Sequence, residues 1–271
     1  MKIDVGYKAT NKSGMEFEVV SKLDNNKFIV KFKLSGYETE ARKDYITLRT
    51  ISDPNTITKY GVGYIGDGIY RTISDELTSK GKHKASEAYT RWNGMMRRCY
   101  DPSGKEYPRY GAIGVRVCEE WKCFQNYAAF FYTYWKEGLQ LDKDILEQDN
   151  KLYCPEKCKF VPVYINNLLV HQKNVSNGLP VGVYYLKKGP NMKNELNKPY
   201  MVEWRKKSLG TFSCPMEAHK VWQTNKANHI EAAISQYSTE KWFDTEVACA
   251  LMSRVWRLRH DAAIGLETKR L

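Results

Sequence analysis

Seven cysteines are the first residues whose type and spacing could do chemistry: Cys99, Cys118, Cys123, Cys154, Cys158, Cys214 and Cys249. Cys118-x4-Cys123 and Cys154-x3-Cys158 make two pairs, and four thiolates can hold a structural Zn²⁺ tetrahedrally. These spacings are looser than the C-x2-C of a strong zinc signature, and buried packing is the other reading. Basic residues are the second source of chemistry. The 271 residues include 43 Lys and Arg against 31 Asp and Glu, a formal net charge of +12. Each Lys or Arg set against a phosphate releases a condensed counterion, so such a chain is drawn to polyanions. Gly63-Tyr64-Ile65-Gly66 superficially suggests a phosphate-binding loop. It lacks the Lys-Ser/Thr of a P-loop and the strand–helix setting of a dinucleotide fold, which excludes nucleotide binding.

The densest run of chemistry-bearing types lies in residues 89–170. It contains Trp92-Asn93-Gly94-Met95-Met96-Arg97-Arg98-Cys99-Tyr100 and then Tyr110-Gly111-Ala112-Ile113-Gly114-Val115-Arg116-Val117-Cys118-Glu119-Glu120-Trp121. Phe124-Gln125-Asn126-Tyr127, Leu141-Asp142-Lys143-Asp144-Ile145-Leu146, Tyr153-Cys154-Pro155-Glu156-Lys157-Cys158-Lys159-Phe160-Val161-Pro162 and Ile165-Asn166-Asn167 follow. This order resembles bacteriophage HNH-type endonucleases of the homing kind. In that family a strand ending in Asp-His opens a ββα finger, and a helix bearing Asn closes it around one divalent cation. The metal neutralises charge at the scissile phosphate, and the His takes a proton from water.

The resemblance puts Asp142 at the metal carboxylate and Asn166 at the helix ligand, with Asn167 beside it and Asn150 in the loop between the strands. Lys143 fills the base position. An ordinary Lys, with a pKa of ~10.4, is no base at neutral pH unless burial lowers it strongly, though it can hold a phosphate as a point charge. A shifted register puts Asp144 on the metal and Ile145 at the base position. His171, just past the helix, is more often structural beside Leu168, Leu169 and Val170. The implied cofactor is Mg²⁺ or another divalent cation. Cys99, Cys118 and Cys158 fall on recurring family positions while Cys123 and Cys154 do not, which favours packing over zinc.

A second resemblance follows. Gly182-Val183-Tyr184-Tyr185, Lys198-Pro199-Tyr200-Met201-Val202-Glu203-Trp204-Arg205, Leu209-Gly210-Thr211-Phe212 and Glu217-Ala218 resemble, in order, an AP2-type DNA-binding domain. That fold is a three-stranded sheet backed by one helix, and its sheet enters the major groove. Lys187, Lys188, Lys193, Lys198, Lys206 and Lys207 are expected at phosphates. Arg205 is expected at a guanine edge, because its planar fork can bind one bidentately. Arg97 and Arg98 join the expected DNA contacts. Trp204 and Trp222 are expected in the core. Arg254, Arg257 and Arg259 fit either packing or phosphate contact.

The elements that must position these residues are legible from periodicity. Glu16–Val20 and Lys27–Leu34 alternate as strands about the turn Asp24-Asn25-Asn26. Residues 52–70 are a linker or a long ordered loop. Ser86 caps a helix running to Cys99, and Phe124–Lys136 is a second helix whose aromatics are expected in the core. Residues 173–180 read as a linker. Three strands follow: Val181–Leu186, Tyr200–Arg205 and Ser208–Phe212. Pro215 opens a helix capped by Ser213, and Trp242–Ile264 is the last helix.

The expected class is α+β, in four parts. Residues 1–70 form a small β-barrel-like module with a Gly-rich linker, and 71–172 the HNH-like ββα core. Residues 173–238 form the AP2-like sheet plus helix, and 239–271 a terminal helix. The start of the chain, MKIDVGYKATNKSG, has no apolar h-region, and no stretch approaches the ~18 apolar residues of a membrane span. An intracellular protein of the host cytoplasm, of phage or mobile-element origin, is expected. The expected function is double-stranded-DNA binding, with metal-dependent DNA cleavage as its enzymatic form. Alternatives are a catalytically inactive DNA-binding or regulatory protein, and an inhibitor of a host nucleic-acid-processing or defence complex.

Overall fold

Alternation of apolar and polar residues builds the first sheet. In the computed structural model, which describes residues 3–169, 178–187, 196–205 and 207–270, β1 (Lys8–Thr10), β2 (Glu16–Lys22), β3 (Lys27–Phe32) and β4 (Glu38–Arg42) pair antiparallel in that order. Phe17, Val19, Phe28, Val30, Phe32 and Ala41 are buried together. A short helix, α1 (Lys43–Leu48), adds Ile46 to this core. In the β2–β3 turn, Asp24 Oδ1 accepts the N–H groups of Asn26 at 2.6 Å and Lys27 at 2.8 Å, the local bonding that makes Asp a turn residue.

Residues 52–70 are an ordered loop rather than a linker. Tyr64 bridges to Cys123. The Gln125 side chain accepts the Tyr70 N–H and donates to the Tyr70 carbonyl, both at 2.9 Å. A Cβ on Gly68 would lie 2.4 Å from Gln125 Oε1, so this approach needs glycine. A hairpin, β5 (Ile73–Leu77) with β6 (His83–Ala85), follows. Next is α2 (Glu87–Tyr100), where Ser86 Oγ accepts the Tyr89 N–H as the expected N-cap. Then come β7 (Arg116–Val117), α3 (Glu119–Lys122) and α4 (Phe124–Tyr134). Beyond β8 (Leu139–Asp142), β9 (Leu152–Tyr153) pairs parallel with β7. Trp92, Met95, Met96, Trp121, Phe124, Tyr127 and Phe131 are fully buried. The α4 aromatics are therefore mainly core, and Tyr132 and Tyr134 remain exposed.

The chain divides into two compact units: Met1–Tyr134 with Leu152–Cys154, and Trp135–Lys151 with Pro155–Leu271. In the second unit β8 pairs antiparallel with β10 (Lys159–Pro162), followed by α5 (Val163–Asn166). A three-stranded antiparallel sheet follows: β11 (Val183–Tyr185), β12 (Tyr200–Trp204) and β13 (Lys207–Phe212). The helices α6 (Pro215–Tyr237) and α7 (Thr245–Ile264) complete the unit. One hydrophobic core runs through all of these, from Ile145, Val161 and Ile165 to Val183, Val202, Ile230, Leu251 and Val255. The molecule is thus a mixed α+β protein with several small sheets. Among the described residues no helix is long and apolar enough to cross a membrane.

Two helix starts differ from expectation. Cys214, not Ser213, occupies the N-cap of α6 and makes no side-chain cap bond. The last helix begins at Thr245, three residues after Trp242, because Asp244 Oδ1 accepts the N–H groups of Glu246 and Val247. Lys159 of β10 binds Asp244 Oδ2 at 2.9 Å and so ties the start of α7 to the β8–β10 hairpin. Burial opposes the Asp244 charge, but Lys159 and the two N–H groups win and hold the carboxyl below its ordinary range.

The chain after α7 is clamped by a buried polar set. Thr268 N–H donates to His219 Nε2 at 3.0 Å, and His219 Nδ1 lies 2.8 Å from the Val181 carbonyl. Thr268 Oγ1 donates to Asp261 and accepts from Gln223. His219 must be neutral to accept the Thr268 N–H, and burial pushes its pKa down. On acidification the unfolded chain therefore takes up the His219 proton first, near pH 6.5, and stability falls. The unfolding midpoint is expected to drop between pH 7 and pH 5, with a slope of at most about 1.4 kcal/mol per pH unit from this residue. Urea titrations of wild type and His219→Asn check this, and the variant should show the shallower pH dependence.

Gly182 sits at φ +81°, and a Cβ there would lie 2.0 Å from Trp222 Cδ1. Backbone strain and overpacking together predict a loss of about 3 kcal/mol in Gly182→Ala. Denaturant unfolding measures it directly.

Candidate nucleic-acid interface

Asp142 ends β8 and is buried. Its Oδ1 accepts the N–H groups of Asp144 at 2.6 Å and Ile145 at 2.9 Å, which turns the chain out of the strand. Burial raises its carboxyl above the ordinary range, with help from the Asp144 charge, against the pull of those N–H groups and Lys143. The Lys143 ammonium is also buried. It donates to both Asp144 oxygens, at 2.6 and 2.7 Å, and to the Asn150 carbonyl at 2.7 Å. Asn150 Nδ2 returns a bond to the Lys143 carbonyl at 2.8 Å. Lys143 and Asn150 therefore lock the two ends of the 143–150 loop.

Asn166, at the end of α5, donates to Gln140 Oε1 at 2.7 Å. Gln140 and Asp142 are two residues apart on β8 and share one face of it. The fold thus sets Asn166 against the strand face that carries Asp142, while Asn167 is exposed. Asp144 is occupied by Lys143. His171 lies outside the described residues. Arg254 of α7 is buried under this loop, donating to the Asp144 carbonyl at 2.9 Å and to the Ala250 carbonyl at 2.7 Å. Arg257 reaches Gln148, and Arg259 pairs with Glu231. Of the two roles open to these arginines, Arg254 takes packing, and the other two have protein partners.

The three-stranded sheet has two distinct faces. Val183 and Val202, paired across β11 and β12, are buried, and Tyr200, Trp204 and Phe212 pack against the same core. Alternation sends Tyr184, Met201, Glu203, Ser208 and Thr211 to the other face, where Tyr184–Met201–Thr211 run in register. Tyr184, Ser208 and Thr211 are exposed. The cations sit at the sheet's two ends. Lys187 and Lys198 lie where β11 leaves and β12 enters, Arg205 and Lys207 flank the β12–β13 turn, and all four are exposed. Arg205 does not project from the open face. Its Nη2 lies 2.8 Å from His229 Nε2 on α6. Lys188, Lys193 and Lys206 lie outside the described residues.

Arg97 and Arg98 part company on α2. Arg97 is exposed, while Arg98 is partly buried with its guanidinium 5.4 Å from the Tyr110 ring centre and 6.0 Å from that of Tyr153. Cys123 and Cys154 are buried in the first unit, Cys158 is buried in the second, and Cys118 is partly buried. The Cys123 thiol points at the Ile65 carbonyl, 3.9 Å away. Among the described residues no group of three or more His, Cys, Asp or Glu side chains is placed to hold a metal ion.

Sequence reasoning missed the partners of the expected residues. Gln140, Lys226 and His229 carry no signal in spacing, because each meets its partner through the fold, and Asn150, placed in the loop by the resemblance, was not expected to bind Lys143. Comparison with protein-family models, with characterised proteins and with solved structures gave no match.

Proposed function

We propose that the protein binds double-stranded DNA and that the β11–β13 sheet is its reading surface. One observation carries this reading: a small sheet with one face on the core, one face open, and exposed cations at both ends. Lys198 and Arg205 are separated by about 20 Å of strand. Cations so spaced can reach phosphates on either side of the ~12 Å major groove while the open face meets base edges. The residue order that resembles an AP2-type domain, and the +12 charge, support the same reading. The first test is duplex affinity of the full-length protein at low salt, where absence of binding overturns the proposal.

A second reading, cleavage by an HNH-like ββα finger, is favoured by Asp142. A buried carboxylate with a raised pKa gains from a nearby cation. Asp142 and the carbonyl oxygen of Asn166 are the oxygen donors a hard divalent ion takes, water filling its remaining positions. They would hold Mg²⁺ or a similar ion, which supplies charge neutralisation at a phosphate. The base position argues against cleavage. Lys143 spends its ammonium on the Asp144 carboxylate and the Asn150 carbonyl, acceptors that favour the protonated form, which has no lone pair to take a proton. Binding without cleavage, with the finger as a scaffold, is therefore the preferred form. Supercoiled plasmid incubated with Mg²⁺ or Mn²⁺ separates the two. Nicking that disappears in Asp142→Ala establishes cleavage, and intact plasmid alongside retained duplex binding supports the scaffold.

A further inference from the structure

We propose that Arg205, Lys226 and His229 form an oxyanion site that takes one phosphate group, at the edge where the β12–β13 turn meets α6. As applied to a duplex backbone, this rests on the DNA-binding reading. Lys226 and His229 are three residues apart on α6 and so share a face. The Arg205 guanidinium lies 2.8 Å from His229 Nε2. Trp204 forms a wall, its ring 5.5 Å from the His229 ring and 5.8 Å from Lys226 Nζ. Lys226 Nζ donates to the Leu168 carbonyl at 2.5 Å, which fixes it and leaves two N–H groups.

What this cluster lacks is an acid. A partly buried charge such as Lys226 is ordinarily paired, yet among the described residues neither Lys226 nor Arg205 forms an ion pair, and His229 Nε2 is the neutral acceptor of the Arg205 N–H. The acid two residues along α6 from His229, Glu231, is taken by Arg259. Burial first, and then Arg205, hold Lys226 down to about 8. Burial, Arg205 and Lys226 likewise push His229 down. An incoming oxyanion would relieve all three.

The backbone adds an independent observation. Arg205 sits at φ 48°, in the left-handed region that glycine favours. An arginine kept there against backbone preference points to a use for its side chain. The site also changes the role of Arg205. Turned toward α6, it meets a phosphate at the sheet's edge rather than a guanine in the groove.

Arg205→Gly separates this from a structural role. Glycine suits the left-handed backbone, and removing the guanidinium relieves Lys226. The unfolding midpoint of the variant should therefore equal or exceed that of wild type. Inorganic phosphate should raise the wild-type midpoint and have little effect on Arg205→Gly or on Lys226→Met. With a 20-base-pair duplex as probe, each variant should reduce the steepness of log affinity against log salt by about one. A phosphate response without duplex binding keeps the site and overturns the DNA reading. A reduced salt slope without a free-phosphate response keeps the site for a backbone phosphate. Duplex binding whose slope, like the phosphate response, is unchanged in both variants overturns the site and leaves the DNA reading standing.

Discussion

Raising monovalent salt from 50 to 200 mM is expected to weaken duplex DNA binding by about 150-fold. Five cations of the sheet and α6 are available to the proposed ligand: Lys187, Lys198, Arg205, Lys207 and Lys226. Each phosphate they neutralise contributes about −0.9 to the slope of log affinity against log salt, and Arg205 and Lys226 share one, so four phosphates give about −3.6. A fourfold rise in salt then costs about two decades. Fluorescence anisotropy of a labelled duplex across that range measures the slope. Lys187→Gln and Lys207→Gln lie at opposite ends of the sheet, and each should lower the steepness by about one. A flat response would show that counterion release does not drive binding. Loss of slope in only one of the two variants would confine the contact to one end of the sheet.

Trp92→Ala should be the most damaging single substitution for folding, at about 3–5 kcal/mol. Trp92 is fully buried on α2. Its ring packs edge-on to Phe124, with centroids 5.6 Å apart, and tilts against Tyr89 at 5.9 Å. Its Nε1–H donates to the Trp121 carbonyl at 2.7 Å. Truncation loses the transfer energy of the ring, leaves a cavity and strands that carbonyl. Three such losses approach the whole stability of a domain, about 5–15 kcal/mol. Trp92→Phe keeps most of the packing and loses the hydrogen bond, so it should cost about half as much or less. Urea unfolding of the three proteins checks the order. A cost below about 1 kcal/mol for Trp92→Ala would mean that the ring is not packed between α2 and α4.

These two predictions mark the division between what was legible in the residues and what was not. Local chemistry was legible. The period-two runs give β2 and β3, Asp24 makes its turn, Ser86 caps α2, and Pro215 opens α6, because each depends on residues within four positions of one another. The cap of α6 was misplaced by one residue and the start of α7 by three. Ser213 and Asp244 are equally good caps by type, and only Asp244 is held in place from outside, by Lys159, 85 residues away.

The sequence by itself determined the net charge and the main elements: a charge of +12, on which the polyanion proposal rests, and alternation that makes a mixed α+β chain. Tertiary structure alone decided what the charged side chains do. Lys143 is spent on its loop, Arg254 is buried beneath it, Arg98 lies against tyrosines, and Arg205 turns toward α6. The reason is physical. Hydrophobic period is averaged over many residues and survives any arrangement. A guanidinium or ammonium has many acceptors within reach, and which one it meets is set by contacts more than 100 residues apart, such as Arg254 with Asp144.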